Sequence, residues 1–285
     1  MIKHRLFFGL LMTVLFLVVV IFDGWLDGSI TASGSDDKNV QGTIFCILVA
    51  LLAIPAQLEF SKLAAAKNLK IFAPVSIVSS ILLATNRYWL QFIEVRQELL
   101  LLYILAFTLI ALFVYQYLFY GTSGVSANCG VNCFSILYLG LLSGFCVAIR
   151  IDFGLWPLLM FVFVIKSADI GAYSVGTLCG KHKFSPRISP GKSWEGMAGA
   201  VAAATIVAIG FAGICDIMPI WVAIVFGFCF AFIGQLGDLA ESMIKRDAEQ
   251  KDSANKIPGF GGVLDIIDSP LIAAAFAYLV FIWFS

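Results

Sequence analysis

Four carboxylates in the last part of the chain stand where they could hold a cation. Asp169 ends one apolar run, Asp238 closes Gln235-Leu-Gly-Asp238, and Asp265 and Asp268 precede the final apolar run. Asp265 and Asp268 are three apart, so on a helix they share a face. Carboxylates gathered this way repel unless a cation sits among them. Mg²⁺ takes one or two carboxylates together with phosphate oxygens and water. Ions held so can stabilise attacking and leaving oxygens in phosphoryl or nucleotidyl transfer. Capping is the competing use, because Asp268, and Asp265 with it, also stand where a helix would begin. The residues alone leave both uses open.

Cations lie close to these acids in the sequence. Lys245, Arg246, Lys251 and Lys256 fall between Asp238 and Asp265. Fixed cations favour reactions of a triphosphate by stabilising developing charge. Each is equally suited to a lipid headgroup or to marking a cytoplasmic loop. A second basic segment runs from Gly180 to Gly196, with four Lys or Arg, three Ser, two Pro and three Gly. Pro and Gly impose irregular backbone there. Such a loop offers N–H groups, hydroxyls and cations to phosphate oxygens. Ser193 and Glu195 stand where a helix should start, a natural anion site. Gly191-Lys192-Ser193 resembles the tail of a P-loop, but the full Gly-x4-Gly-Lys-Ser spacing is absent.

The elements that position these residues must be membrane helices. The chain is 61% hydrophobic and 13% charged, whereas a soluble domain is about half apolar and about a quarter charged. Spans of roughly 20 residues are expected at about 6–22, 42–60, 72–88, 99–120, 133–149, 153–170, 196–214, 218–237 and 269–284. The expected fold is all-α, a polytopic integral membrane protein of about nine helices forming a single membrane domain. Its N-terminal helices take residues 1–150. A catalytic region takes 151–285, with cytoplasmic loops at 177–195 and 238–268. Lys3 and Arg5 before the first run imitate a leader peptide, but no small-residue cleavage site follows, so a retained span is expected. Seven cysteines show no disulfide or zinc spacing; Cys129 and Cys133 are the one close pair. Zero net charge argues against a nucleic-acid partner.

Charge is distributed unevenly. Residues 166–268 hold 19 of the 36 charged side chains, and charge beside a span is costly and usually functional. The charges of the first half read as solvated loop groups. Lys3 and Arg5, then Lys62, Lys67 and Lys70, then the two basic loops, fall on one side of a nine-span chain. Asp23, Asp27, Asp36, Asp37 and Asp216 fall on the other. This predicts a cytoplasmic N-terminus and active-site loops, and an outward C-terminus.

Ser242-Met-Ile-Lys245-Arg246, Lys251-Asp252, Ile257-Pro-Gly-Phe-Gly-Gly262 and Asp265-Ile-Ile-Asp268 together resemble the signature of the CDP-diacylglycerol synthases, or phosphatidate cytidylyltransferases. Asp169-x-x-Ala-Tyr173, Gly180-Lys-His-Lys, Ile188-Ser-Pro190, Lys192-Ser-x-Glu-Gly196 and Gln235-x-Gly-Asp238 resemble it too, in order, over roughly 165–268. The resemblance implies a nucleotidyltransferase of phospholipid biosynthesis that makes CDP-diacylglycerol and pyrophosphate from CTP and phosphatidic acid. It implies a homodimer among membrane lipids, with the cell inner membrane as its expected place. It also implies Mg²⁺, as two ions or as one beside a monovalent ion. Asp238 and Asp265 would bind metal, with Asp268 close behind. Lys245, Arg246 and Lys256 would face phosphates. Lys181, Ser189, Lys192 and Ser193 would belong to a substrate loop, and Asp169 and Tyr173 would border the nucleotide.

Two positions depart from the signature: Phe260 replaces a His and Ile266 an Arg. Phe neither donates a hydrogen bond nor takes a proton, and Ile cannot pair with phosphate. A phosphate monoester has a second pKa of about 6, so its oxygen needs little base help near neutrality. Activity is therefore expected. The alternatives are CTP-dependent transfer to another lipid phosphate, and a catalytically weakened or non-catalytic membrane paralogue. No internal repeat of the kind common in transporters is visible.

Overall fold

The computed structural model describes residues 2–30, 40–254 and 261–284, with side chains from residue 9 onward. Lys256 and Phe260, Asp36 and Asp37, and the side chains of Lys3 and Arg5 lie outside that description. Helices make up most of the described residues, and an isolated antiparallel bridge joins Lys183 and Ser193. Eight helices among the described residues are long and apolar enough to cross a membrane. An all-α fold is the physical answer in lipid, since a helix satisfies its own backbone polar groups.

The chain divides into two compact units: residues 1–151 with 248–266, and residues 152–247 with 267–285. The first unit holds α1 (Ile2–Asp27), α2 (Thr43–Ala66), α3 (Ala73–Ala84), α4 (Asn86–Trp89) and α5 (Gln97–Tyr120). It also holds α6 (Val125–Ile136), a π-helical turn (Leu137–Leu141) and α7 (Leu142–Asp152). The last three run on as one apolar rod of 28 residues. The third expected span is not a long helix. Helix α3 has twelve residues, about 18 Å, and α4 follows directly. After α4 the Gln91 side chain bonds both backbone groups of Gln41, at 2.7 and 3.0 Å. The chain has thus returned to the start of α2 through a short helix and a turn, and this stretch is not one of the eight long apolar helices. At its other end, Asn132 accepts from Phe72 N and Ser76 Oγ at 2.7 Å and donates to Lys70 O. Asn128 accepts from Lys70 N. These polar residues at the start of α6 are the reason the fifth span was expected at 133 rather than 125.

The second unit holds α8 (Leu155–Cys179), α9 (Trp194–Cys215), α10 (Ile220–Asp247) and most of α11 (Leu264–Phe284). Small residues bring these helices together, as membrane helices require in the absence of a hydrophobic drive. Buried Ala200, Ala204, Ala208 and Ala212 line one stripe of α9. A Cβ on Gly171 would lie 2.4 Å from Gly199 O, and one on Gly227 2.4 Å from Thr205 Cα. Gly171→Ala therefore pushes α8 off a backbone that cannot yield. We expect a loss of about 1–3 kcal/mol, read as a lower thermal midpoint in detergent; an unchanged midpoint would show that α8 and α9 are not packed this closely.

Helix α10 has 28 residues, about 42 Å, against an apolar layer of about 30 Å. The expected span ended at 237, and residues 238–268 were expected as loop. The helix instead continues to Asp247, and α11 begins at Leu264. The cause is i,i+4 pairing of Glu241 with Lys245, which keeps a charged extension helical beyond the apolar run.

Candidate active site

The helical extension of α10 puts Gln235, Asp238, Glu241, Ser242 and Lys245 three or four residues apart, on neighbouring positions of one face. All but Asp238 are buried. Helix α11 reaches this face because α10 has glycine at 237. A Cβ there would lie 2.9 Å from Asp268 O and from Ser269 Cα. The close approach gathers three acids: carboxylate oxygens of Asp238, Glu241 and Asp268 all lie within 4.8 Å of one another. Glu241 is fully buried and Asp268 nearly so.

Lysines surround the acids. Lys192 Nζ lies 2.7 Å from Asp238 Oδ2 and donates to Gln235 Oε1 and Gln235 O at 2.9 and 3.1 Å. Lys245 meets Glu241 at 2.5 Å, and Lys166 meets Asp169 at 3.5 Å. Asp169 interacts electrostatically with Asp238 and Lys192, and Asp268 with Lys166, Asp238 and Asp169. Four carboxylates thus face three ammonium groups in a partly dehydrated site, where like charges are poorly screened. An all-oxygen, carboxylate-rich donor set with this surplus of negative charge suits Mg²⁺. The residues fit the cation that the sequence implied, with Glu241 as an addition to the expected set.

The loop between α8 and α9 is clamped at its base. Ser193 caps α9, its Oγ accepting from Gly196 N. Glu195 accepts from Lys181 N and His182 N and meets His182 Nδ1 at 2.6 Å. Trp194 N donates to His182 O. Gly180 leaves room for the buried serine: a Cβ there would sit 2.6 Å from Ser193 Oγ. Further along, Lys192 N donates to Ser189 O, and Arg246 Nε donates to Ile188 O from the end of α10. The loop thereby delivers Lys192 to Asp238.

Every expected residue except Lys256 has a definite place. Asp169, Lys192, Asp238, Lys245 and Asp268 come together in the second unit. Ser189 and Arg246 brace the loop and Ser193 caps the helix. Lys181 and Tyr173 are exposed, and Tyr173 lies on an outward part of α8. Asp265 belongs to the first unit. Its Oδ2 accepts from Ser253 N, Ser253 Oγ and Gly262 N at 3.1, 2.6 and 2.7 Å. Lys256 lies outside the described residues.

Two acids escaped the sequence reading. Glu241 follows Asp238 by three residues, the same spacing that singled out Asp265 and Asp268, and that spacing was the available signal. Glu59 lies inside an expected span, fully buried on α2. An acid within an apolar run is costly enough to mark function.

Comparison with known proteins gives the family of the chain. Over 152 residues, 52% of the chain, it is 39% identical to a phosphatidate cytidylyltransferase of Bacillus subtilis (strain 168), covering 56% of that protein. Over 146 residues, 51% of the chain, it is 39% identical to one of Brucella suis, covering 52% of that protein. Over 128 residues, 44% of the chain, it is 42% identical to one of Mycobacterium tuberculosis (strain ATCC 25618 / H37Rv), covering 38% of that protein. The chain therefore spans about half the length of the curated relatives it matches, or somewhat less. The model of the cytidylyltransferase family matches residues 39–284, across both units, and the chain belongs to that family.

Proposed function

We propose that this protein transfers the cytidylyl group of CTP to phosphatidic acid, releasing pyrophosphate and forming CDP-diacylglycerol. The observation that carries the reading is the Asp238–Glu241–Asp268 cluster with Lys192 set against it, at the end of a helix longer than the apolar layer is thick. That level suits a reaction between a water-soluble nucleotide and a lipid headgroup. Bond making joins a phosphatidate oxygen to the α-phosphorus of CTP. Bond breaking frees the bridging oxygen to the β-phosphorus, and its electron pair leaves with pyrophosphate.

Asp238 and Asp268 would hold Mg²⁺, with Glu241 beside them; the ion, as one of a pair or beside a monovalent ion, would offset negative charge on the phosphates. Lys192 orients Asp238 and supplies positive charge at the same point. Lys245 balances Glu241. The loop of 180–193, with Lys181, Ser189 and Ser193, lines the approach of the phosphates, together with Arg246 and Lys256. Asp169 and Tyr173 border the nucleotide. Asp265, whose Oδ2 is engaged by Ser253 and Gly262, serves by shaping the loop before α11.

The N-terminus and both basic loops face the cytoplasm of a cell whose inner membrane holds the protein, and the C-terminus faces outward. The Lys and Arg of the two basic loops support this orientation. A homodimer follows the family resemblance.

Purified protein with CTP, Mg²⁺ and phosphatidic acid tests the reading through pyrophosphate release. Release that depends on all three is expected. Release only with another lipid phosphate would replace the acceptor, and nucleotide binding without release would remove the activity. A Phe260→His, Ile266→Arg variant in the same assay measures the effect of the two departures. At most a modest gain is expected, because the nucleophile is already ionised.

A further inference from the structure

We infer that Glu59, from the half of the chain without the signature, is a positioning residue that holds the signature loop and the start of α11 in working order. The inference rests on the proposed transferase reading for its effect on turnover. Glu59 is fully buried in α2. Its Oε2 accepts from Leu264 N at 3.0 Å, satisfying one of the open N–H groups at the start of α11. The same oxygen lies 3.3 Å from Ser253 Oγ, which also donates to Asp265 Oδ2 at 2.6 Å. One hydroxyl thus links an acid of α2 to an acid of the signature.

The glycine in the middle shows how tight this arrangement is. A Cβ on Gly262 would lie 2.2 Å from Ser253 Oγ and 2.3 Å from Glu59 Oε2. Gly262 N meanwhile donates to Asp265 Oδ2 at 2.7 Å. The paired glycines of the signature are therefore explained in part by Glu59: the second must lack a side chain because the Glu59 carboxylate and Ser253 hydroxyl occupy its place. Gly261 stands beside it at φ +93°, where other residues are strained. An acid buried in a membrane helix is costly, and here its Oε2 takes donors from Ser253 and Leu264. Those donors belong to the segment that leads into α11, the helix bearing Asp268.

The test compares Glu59→Ala with Glu59→Gln in the full-length protein. Glutamine keeps the length and one carbonyl acceptor, whereas alanine leaves Leu264 N without its acceptor in a buried place. Two readouts are taken: steady-state kinetics with CTP and phosphatidic acid, and the rate of limited tryptic cleavage after Lys251, which is exposed at the head of the loop. For Glu59→Ala we expect kcat about 10–100-fold lower, as for partners that orient ligating residues. The KM for CTP should stay within about threefold, and cleavage after Lys251 should be faster. Glu59→Gln should recover most of both. Wild-type turnover and cleavage in Glu59→Ala would overturn the inference. So would equal loss in both variants with unchanged cleavage. Cleavage needs no substrate, so it judges the loop even if the protein transfers nothing; absence of pyrophosphate release by the wild-type protein with CTP, Mg²⁺ and phosphatidic acid would instead sink the transferase assignment.

Discussion

Asp238→Asn is expected to lower CTP- and Mg²⁺-dependent pyrophosphate release by at least ~10²-fold, the scale on which a single preorganised electrostatic group acts. Asparagine keeps the shape of the side chain and removes its charge. The remaining acids, Glu241 and Asp268, then attract a divalent cation less strongly, and Lys192 loses its partner at 2.7 Å. Folding should survive, because Lys192 Nζ still has Gln235 O and Gln235 Oε1 as acceptors. Removing one of three crowded carboxylates also relieves repulsion. The expected signature is thus a collapse of turnover at an unchanged or slightly raised thermal midpoint, with partial recovery at high Mg²⁺. Wild-type turnover at ordinary Mg²⁺ would remove Asp238 from the reaction. A large fall in midpoint would make its role structural.

Arg150→Met is expected to be the most destabilising single change in the first unit. Arg150 is fully buried and meets Asp23 at 2.9 Å and Asp27 at 2.6 Å. Both acids are themselves buried at the end of α1. Asp23 Oδ1 also accepts from Ile44 N and Phe45 N, and Asp27 Oδ2 from Gly42 N. The acids of α1 therefore cap α2, which has no side-chain cap of its own at Gly42. The positive end of α2 supports them. Methionine fills the space of the guanidinium stem but leaves two acids uncompensated. Breaking a buried pair costs about 3–5 kcal/mol, a fall of about 10 °C in thermal midpoint for a chain of this size. Arg150→Lys should fall between, since one ammonium cannot span two carboxylates as a guanidinium does. A midpoint unmoved by Arg150→Met would show that water reaches the site and screens the acids.

What could be read from residue order alone were the properties that residues carry locally. Apolar runs located the helices, since a span must be apolar over its own length whatever it packs against. The signature pointed to the family, and the three-residue spacing of Asp265 and Asp268 put them on one helical face with their use left open. Local reading missed where pairing extends or interrupts a run. Helix α10 passes its apolar limit through Glu241 and Lys245, and the third expected span shortens to α3. It also divided the acids of the signature differently. The three-residue spacing left Asp265 and Asp268 alike, whereas tertiary packing gives Asp265 to Ser253 and Gly262 and brings Asp268 to Asp238 and Glu241. The first half shows the difference most clearly. Asp23, Asp27 and Glu59 read there as solvated loop charge or went unnoticed, yet all are buried. Their partners, Arg150 and the segment 253–264, lie more than a hundred residues away in the chain. Burial and partnership depend on which distant groups the fold brings within about 3 Å, and no local pattern of residue types encodes that distance.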